Sequence, residues 1–213
     1  MKYFLFAIIA GRINMKNNFI CRILCFLLVW SLLTSFLRTD FFVYAQDFEA
    51  LRENVSMVNS YELFFPMVAG TLPTQKTYIL KVVRDEGAIL FSSDKGTKIA
   101  RLLDVSDKRL LEAEQLLLQG NQELALKSLN DSRRKILKVV KIMNDLSRKD
   151  KNEELILNSS LAMSETAAKQ QRLLLFLSKN TSGNLLESLK LNYDTAKSLE
   201  MFSDEILFKF LHR

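Results

Sequence analysis

The stretch from Ser106 to Met143 constrains the fold more than any other: S-D-K-R-L-L-E-A-E-Q-L-L-L-Q-G-N-Q-E-L-A-L-K-S-L-N-D-S-R-R-K-I-L-K-V-V-K-I-M. Upstream of Gly120, Leu103, Leu110, Ala113 and Leu117 fall on one helical face. Downstream, Leu126, Leu129, Ile136, Val140 and Met143 step by threes, fours and sevens, the spacing of a packed helix stripe. Between the two stripes stands Gly120-Asn121. Glycine enters the left-handed backbone region without a Cβ clash, and asparagine can cap the following helix by accepting from a free N–H. Glu123 is favourably placed near the positive end of that helix. So short a connection makes the two helices antiparallel neighbours. The segment reads as a helical hairpin.

The rest of the chain extends this pattern. Only 6 Gly and 2 Pro occur in 213 residues, and both prolines (Pro66, Pro73) lie in one short region, so nothing interrupts long helices after it. Tyr78–Ser92 reads as a helix with Ile79, Val82, Val83, Ile89 and Leu90 inward, and Gly87 weakens it unless a neighbour approaches closely there. Ser93-Asp94-Lys95-Gly96 breaks the helix, and the hairpin begins near Thr97. A charged connection over 147–152 leads to a long helix, Glu153–Lys179. The cluster Asn180–Asn184 turns the chain into a last helix, Leu185–Leu211, with Leu189, Tyr193, Ala196, Leu199, Phe202, Ile206 and Phe210 on one side. The fold class expected is all-α: an antiparallel bundle of about five helices with a central hairpin, preceded by an ordered Pro/Gly-containing loop. The divisions are 1–45, a weak helix and apolar loop over 46–77, a helical domain over 78–146, and a C-terminal helical hairpin over 147–213 packed on it.

The N-terminus has the three parts of a secretion signal. Met15–Arg22 is positive, and Ile23–Phe36 (I-L-C-F-L-L-V-W-S-L-L-T-S-F) is apolar and shorter than the roughly 20 residues that a membrane span prefers. Val43-Tyr44-Ala45 then suits cleavage before Gln46. Met15 is the expected start, with 1–14 upstream of it. An uncleaved anchor is the alternative, because apolar residues continue through Phe41-Phe42-Val43. The expected location is extracytoplasmic (periplasmic, secreted or envelope), with membrane anchoring through residues 23–36 as the other outcome.

Tyr61–Thr77 combines aromatic and β-branched residues with Pro66, Gly70 and Pro73, the composition of an extended ordered loop. Its apolar side chains would be costly in water, so the loop is expected to pack along the bundle. The sharper reading makes Phe64, Phe65, Met67 and Val68 a partner-binding groove.

Reactive side chains are scarce. The single histidine is His212, and both cysteines, Cys21 and Cys25, lie in the signal segment. That inventory disfavours zinc sites and Cys/His or Ser/His/Asp catalysis. Glu112-Ala113-Glu114 and Glu153-Glu154 project to different helix faces and lack the Glu-x-x-His partner of di-iron bundles. No catalytic residue, cofactor or metal is assigned, and the chain reads as a non-enzyme. Nucleic acid is disfavoured by charge distribution. Of 30 basic and 24 acidic residues, five and one fall in 1–45, which leaves a near-neutral remainder of 25 and 23. The basic run Arg133-Arg134-Lys135 reads as a solvated helix face.

One block resembles a known family. A lead-in of Tyr61, Glu62, Leu63, Pro66, Leu72 and Pro73 precedes Tyr78-Ile79-Leu80-Lys81-Val82-Val83-Arg84-Asp85, then Ser106-Asp107-Lys108-Arg109-Leu110, then the Gly120–Leu126 turn. Over about 61–145 this resembles the DUF 5667 family, bacterial extracytoplasmic helical domains of unknown function. Two departures stand out: Pro66 and Gly70 are separated, and Ser106 stands where the family tends to have Ala. The resemblance implies a helical extracytoplasmic domain and no activity. Asp107 and Arg109 are expected to meet partners on neighbouring helices, with Leu110 in the core. The function expected is an exported, non-catalytic interaction or structural role in the cell envelope, the partner being another protein or a second copy. The alternatives are a periplasmic chaperone-like or stress-sensing binder and a signal-anchored, oligomerising membrane protein.

Overall fold

The computed structural model describes residues 48–149 and 152–212, so the predicted signal sequence and membrane tether lie outside the described residues. Seven helical segments and no strand occur among these residues. They are α1 (48–54), α2 (Ser60–Phe64), α3 (Tyr78–Leu90), α4 (Lys95–Leu118), α5 (Gln122–Lys149), α6 (Glu153–Ser178) and α7 (Gly183–Leu211). The five long helices match the expectation. The first part of the expected loop does not: Ser60–Phe64 is helical, because Asn59 caps it by accepting from the Tyr61 N–H at 3.2 Å.

The α4–α5 turn follows from its two residues. Gly120 has φ +75°, Asn121 N donates to Leu116 O at 2.8 Å, and Gly120 N donates to Leu117 O at 3.0 Å. These are the paired bonds of a Schellman ending. Asn121 Oδ1 then accepts from Leu124 N at 3.2 Å, which caps α5. Asp94 caps α4 (Thr97 N, 2.8 Å) and Asn152 caps α6 (Leu155 N, 3.1 Å). Helices α4, α5 and α6 thus each start where a side chain satisfies unpaired backbone groups.

Helices α4 and α5 form one hairpin and α6 and α7 a second, with α4 against α6 and α5 against α7. The core has two apolar layers. One contains Ile99, Leu102, Leu103, Ile136, Met143, Ile156, Met163 and Leu199, and the other Leu110, Ala113, Leu129, Leu173, Leu189 and Tyr193. The early part of α4 therefore meets the early part of α6, and the late part of α5 the late part of α7. Helices are antiparallel within each hairpin but parallel across the two. Every hairpin residue expected inward is buried or half-buried, as are those of α7.

The exception is α3. Ile79, Leu80, Val83 and Leu90, three of them expected inward, are 71%, 71%, 64% and 71% exposed, whereas Lys81, Asp85 and Ile89 are buried. The expected inward face of this helix is corrected: of its five residues only Ile89 is buried, and Val82 is half-buried. Two stripes share this helix, 79-83-90 and 78-81-82-85-89, and both have helical spacing. Hydrophobicity alone favours the first. The second wins because α4 presents charged partners to it.

Candidate functional site

Between the two apolar layers the bundle carries a polar belt, and the Ser106–Arg109 block supplies its centre. Arg109 is only 1% exposed. Its Nε donates to Asp131 Oδ2 at 3.0 Å, one Nη to Glu112 Oε1 at 2.5 Å, and the other to Asp85 Oδ2 at 3.4 Å. The guanidinium also lies 5.5 Å from the centroid of the Tyr78 ring. From α3, Lys81 Nζ donates to Glu112 Oε1 at 2.5 Å and the Tyr78 hydroxyl to Glu112 Oε2 at 3.0 Å. Lys135 pairs with Glu86 and lies 4.0 Å from Asp131. Lys81 and Arg109 thus balance Asp85 and Glu112 in the buried centre, the condition under which charge can be removed from water.

The electrostatics follow the contacts. Burial opposes the charge on Arg109, but Glu112, Tyr78 and Asp131 outweigh it and hold the guanidinium above its ordinary range. Burial, then the charge of Glu112, pushes the Tyr78 phenol well up, so it stays a donor. The basic run is therefore not a uniform solvated face: Lys135 is buried, and Arg133 Nε donates to Thr195 Oγ1 at 3.2 Å, while Arg134 is exposed.

On the other side of α4, Gln170 of α6 donates to Asp107 Oδ1 at 2.7 Å and to Ser106 Oγ at 2.9 Å. Ser106 Oγ lies 2.9 Å from Ser132 Oγ of α5. Among the described residues no cation forms an ion pair with Asp107, although Lys169 attracts its charge from a distance. Burial pushes its carboxyl up to about 7 against the pull of the Gln170 hydrogen bond, and nearby Asp104 adds to the rise. Leu110 sits in the core as expected.

The belt also holds the loop. Lys81 Nζ donates to the carbonyl of Ala69 and, at 3.2 Å, to that of Thr71. Gly70, between them, has φ +66°, and a Cβ there would come within 3.6 Å of that ammonium. Of the four residues read as a partner groove, Phe65 and Val68 are exposed and Met67 is half-buried. Phe64 is only 3% exposed in the apolar layer of Leu110, Leu111 and Leu174, and with Phe65 and Met67 it also borders a cavity along α4 and α6, so a polar residue there would weaken the layer as well as alter that cavity. Met67 and Val68 border a cavity of about 310 Å³ with Tyr61, Leu72, Leu111 and Glu114. A second cavity of about 520 Å³ lies along α4 and α6, and Asp107 borders it.

Glu112 and Glu114 project differently, as expected, yet both are buried: Glu112 lies inside the belt and Glu114 on the cavity. The sequence signal for these positions was present in E-A-E set within L-L-x-x-x-Q-L-L-L. Two carboxylates inside so apolar a run need buried partners or a ligand. Among the described residues no group of three or more potential ligands could hold a metal. No helix among them is long and apolar enough to cross a membrane.

Two substitutions test the belt. Arg109→Met leaves Asp85 and Glu112 short of a cation and is expected to cost about 3–5 kcal/mol in denaturant unfolding; a loss under 1 kcal/mol would show that the network is dispensable. Asp107 has a folded pKa above its unfolded value, so the native state binds the extra proton. Its contribution to stability is full below about pH 4 and is lost as pH rises to about 7. Asp107→Asn keeps the acceptor for Gln170 and removes the titration. Its Tm minus that of the wild type should be near zero at pH 4, turn positive as pH rises, and level off above pH 7. A difference independent of pH contradicts the assignment.

Comparison with known proteins places this belt in a family. Residues 70–181 match a Domain of unknown function (DUF5667), which is more than half of the chain. No curated protein and no solved structure matches. The matched region starts later than the resemblance read from 61–145 and runs on through α6. That extension has a physical counterpart, since α6 contributes Gln170 to the belt. Lys81, Asp85, Asp107, Arg109, Glu112, Asp131 and Gln170 all fall inside the match, and α7 lies beyond it. The chain is a member of the DUF5667 family.

Proposed function

We propose that this chain is an exported, non-catalytic helical-bundle protein that works by protein interaction in the cell envelope, through the outward face of α3. One observation carries the reading: α3 buries its charged stripe and leaves Ile79, Leu80, Val83, Leu90 and the adjoining Phe91 in water. A face so continuous is atypical of the surface of a soluble monomer and is characteristic of a docking surface. Gly87 lies on this helix with open space around the position of a Cβ, which lets a partner helix approach closely there. Export rests on the n-region, h-region and Ala45 cleavage pattern. The non-catalytic reading rests on the poverty of reactive side chains: the polar groups of the belt satisfy one another, and His212 stacks on Phe208. A chaperone-like reading draws on exposed Phe65 and Val68 and predicts aggregation suppression that polar residues at these two positions abolish.

A photo-crosslinking residue at position 83 of the full chain, expressed in a bacterial host, is expected to give protein adducts. The same residue at exposed Arg101 is the control, and adducts no stronger at 83 than at 101 would sink the docking role. Val83→Asp should remove the adducts formed from position 79 and shift stability by no more than about 0.5 kcal/mol. In the same preparation, an N-terminal peptide beginning at Gln46 supports cleavage and export. A peptide retaining the residues from Met15, recovered with membranes, supports the anchored alternative.

A further inference from the structure

The cavity beneath the loop contains a carboxylate without a matching charge. Glu114 is only 7% exposed; it borders the cavity, and its Oε2, itself shut off from solvent, has no hydrogen-bond partner among the described residues. Among the described residues the Ser60 hydroxyl helps hold its charge against the burial, and none of their cations does. The contrast with Glu112, two residues away, is sharp: that carboxylate receives Lys81, Arg109 and Tyr78. A carboxylate taken out of water without a cation is costly to the fold, and a cation supplied from outside relieves that cost.

The surroundings define which cation fits. Met67, Val68, Leu72 and Leu111 provide apolar walls, while Tyr61 and Gln115 add polar groups at the border. At about 310 Å³ the space is at the lower end for ligand sites. It suits a narrow apolar stem ending in a compact charge rather than a broad, planar group. The wall is also held in place: Lys81 fixes the carbonyls of Ala69 and Thr71, so the cavity does not depend on a free loop. Charge sign, apolar walls and size together describe an unbranched alkyl chain with a terminal ammonium.

We propose that this cavity binds an alkylammonium group, with Glu114 as its counter-ion and the 67–72 loop as its apolar wall. Two sources share that chemistry, a free primary amine and a lysine side chain of a partner protein. The site is separate from the outward face of α3 and stands whether or not that face docks a protein.

The test is a calorimetric titration of the full chain with n-pentylammonium chloride, with n-pentanol as the neutral match and Nα-acetyl-lysine methylamide as the side-chain mimic. Saturable binding of the ammonium but not the alcohol is expected. Glu114→Gln, of the same shape without the charge, should weaken it at least about tenfold. Val68→Trp, at an exposed position bordering the cavity, should block it without disturbing the core. Binding of the lysine mimic as well points to a protein partner, and binding of pentylammonium alone points to a free amine. No saturable binding of either ammonium, equal binding of the alcohol, or wild-type affinity in a folded Glu114→Gln or Val68→Trp protein overturns the proposal.

Discussion

Arg109 is the interaction on which the rest of the structure depends. A guanidinium almost wholly removed from water can persist only if carboxylates surround it, and Glu112, Asp85 and Asp131 arrive from α4 itself, α3 and α5. One side chain thereby fixes the rotation of α3 about its axis and its position on the hairpin. A hydrophobic contact would tolerate rotation or slippage at modest cost. A five-donor fork facing carboxylates on three helices does not.

The belt separates two apolar layers, and this placement explains why charge is affordable there. Above and below it, leucine, isoleucine and methionine side chains close off water. Within it, nearly every donor meets an acceptor. The two halves differ in character. On the α3 side, cations and carboxylates balance. On the α6 side, Asp107 meets the Gln170 amide and makes no ion pair among the described residues, and the more distant Lys169 offsets only part of the effect of burial, so its ionisation opposes folding. The bundle thus combines a charged lock on one flank with a pH-sensitive joint on the other.

The same belt shapes the outer surface. By drawing Lys81 and Asp85 inward, it turns the apolar stripe of α3 outward. By drawing the Lys81 ammonium onto the carbonyls of Ala69 and Thr71, it holds the loop that forms one wall of the cavity beside Glu114. The face proposed for docking and the cavity proposed for an ammonium both trace to one choice of buried partner. Neither needs a catalytic side chain.

The helices were legible in the sequence because their signals are local. Gly120 and Asn121 meet backbone needs within five residues of themselves, and the stripes of α4, α5 and α7 read from the sequence have helical spacing and are buried or half-buried. The expectation that Asp107 and Arg109 reach neighbouring helices also held, because charges amid L-L repeats must find partners. The orientation of α3 was not legible. Its two faces have equal periodicity, and the decision lay in Glu112, 31 residues from Lys81, and Arg109, 24 residues from Asp85, whose reach across helices only the packing reveals. Phe64 was partly legible for a related reason: two residues before Pro66 it looked like loop, but the Asn59 cap winds it into a helical turn and brings it into the core layer. Sequence determined the helices and their ends through local hydrogen bonding and periodicity. Tertiary structure alone decided which faces meet, because charge pairing between distant residues outweighed the hydrophobic pattern nearest to hand.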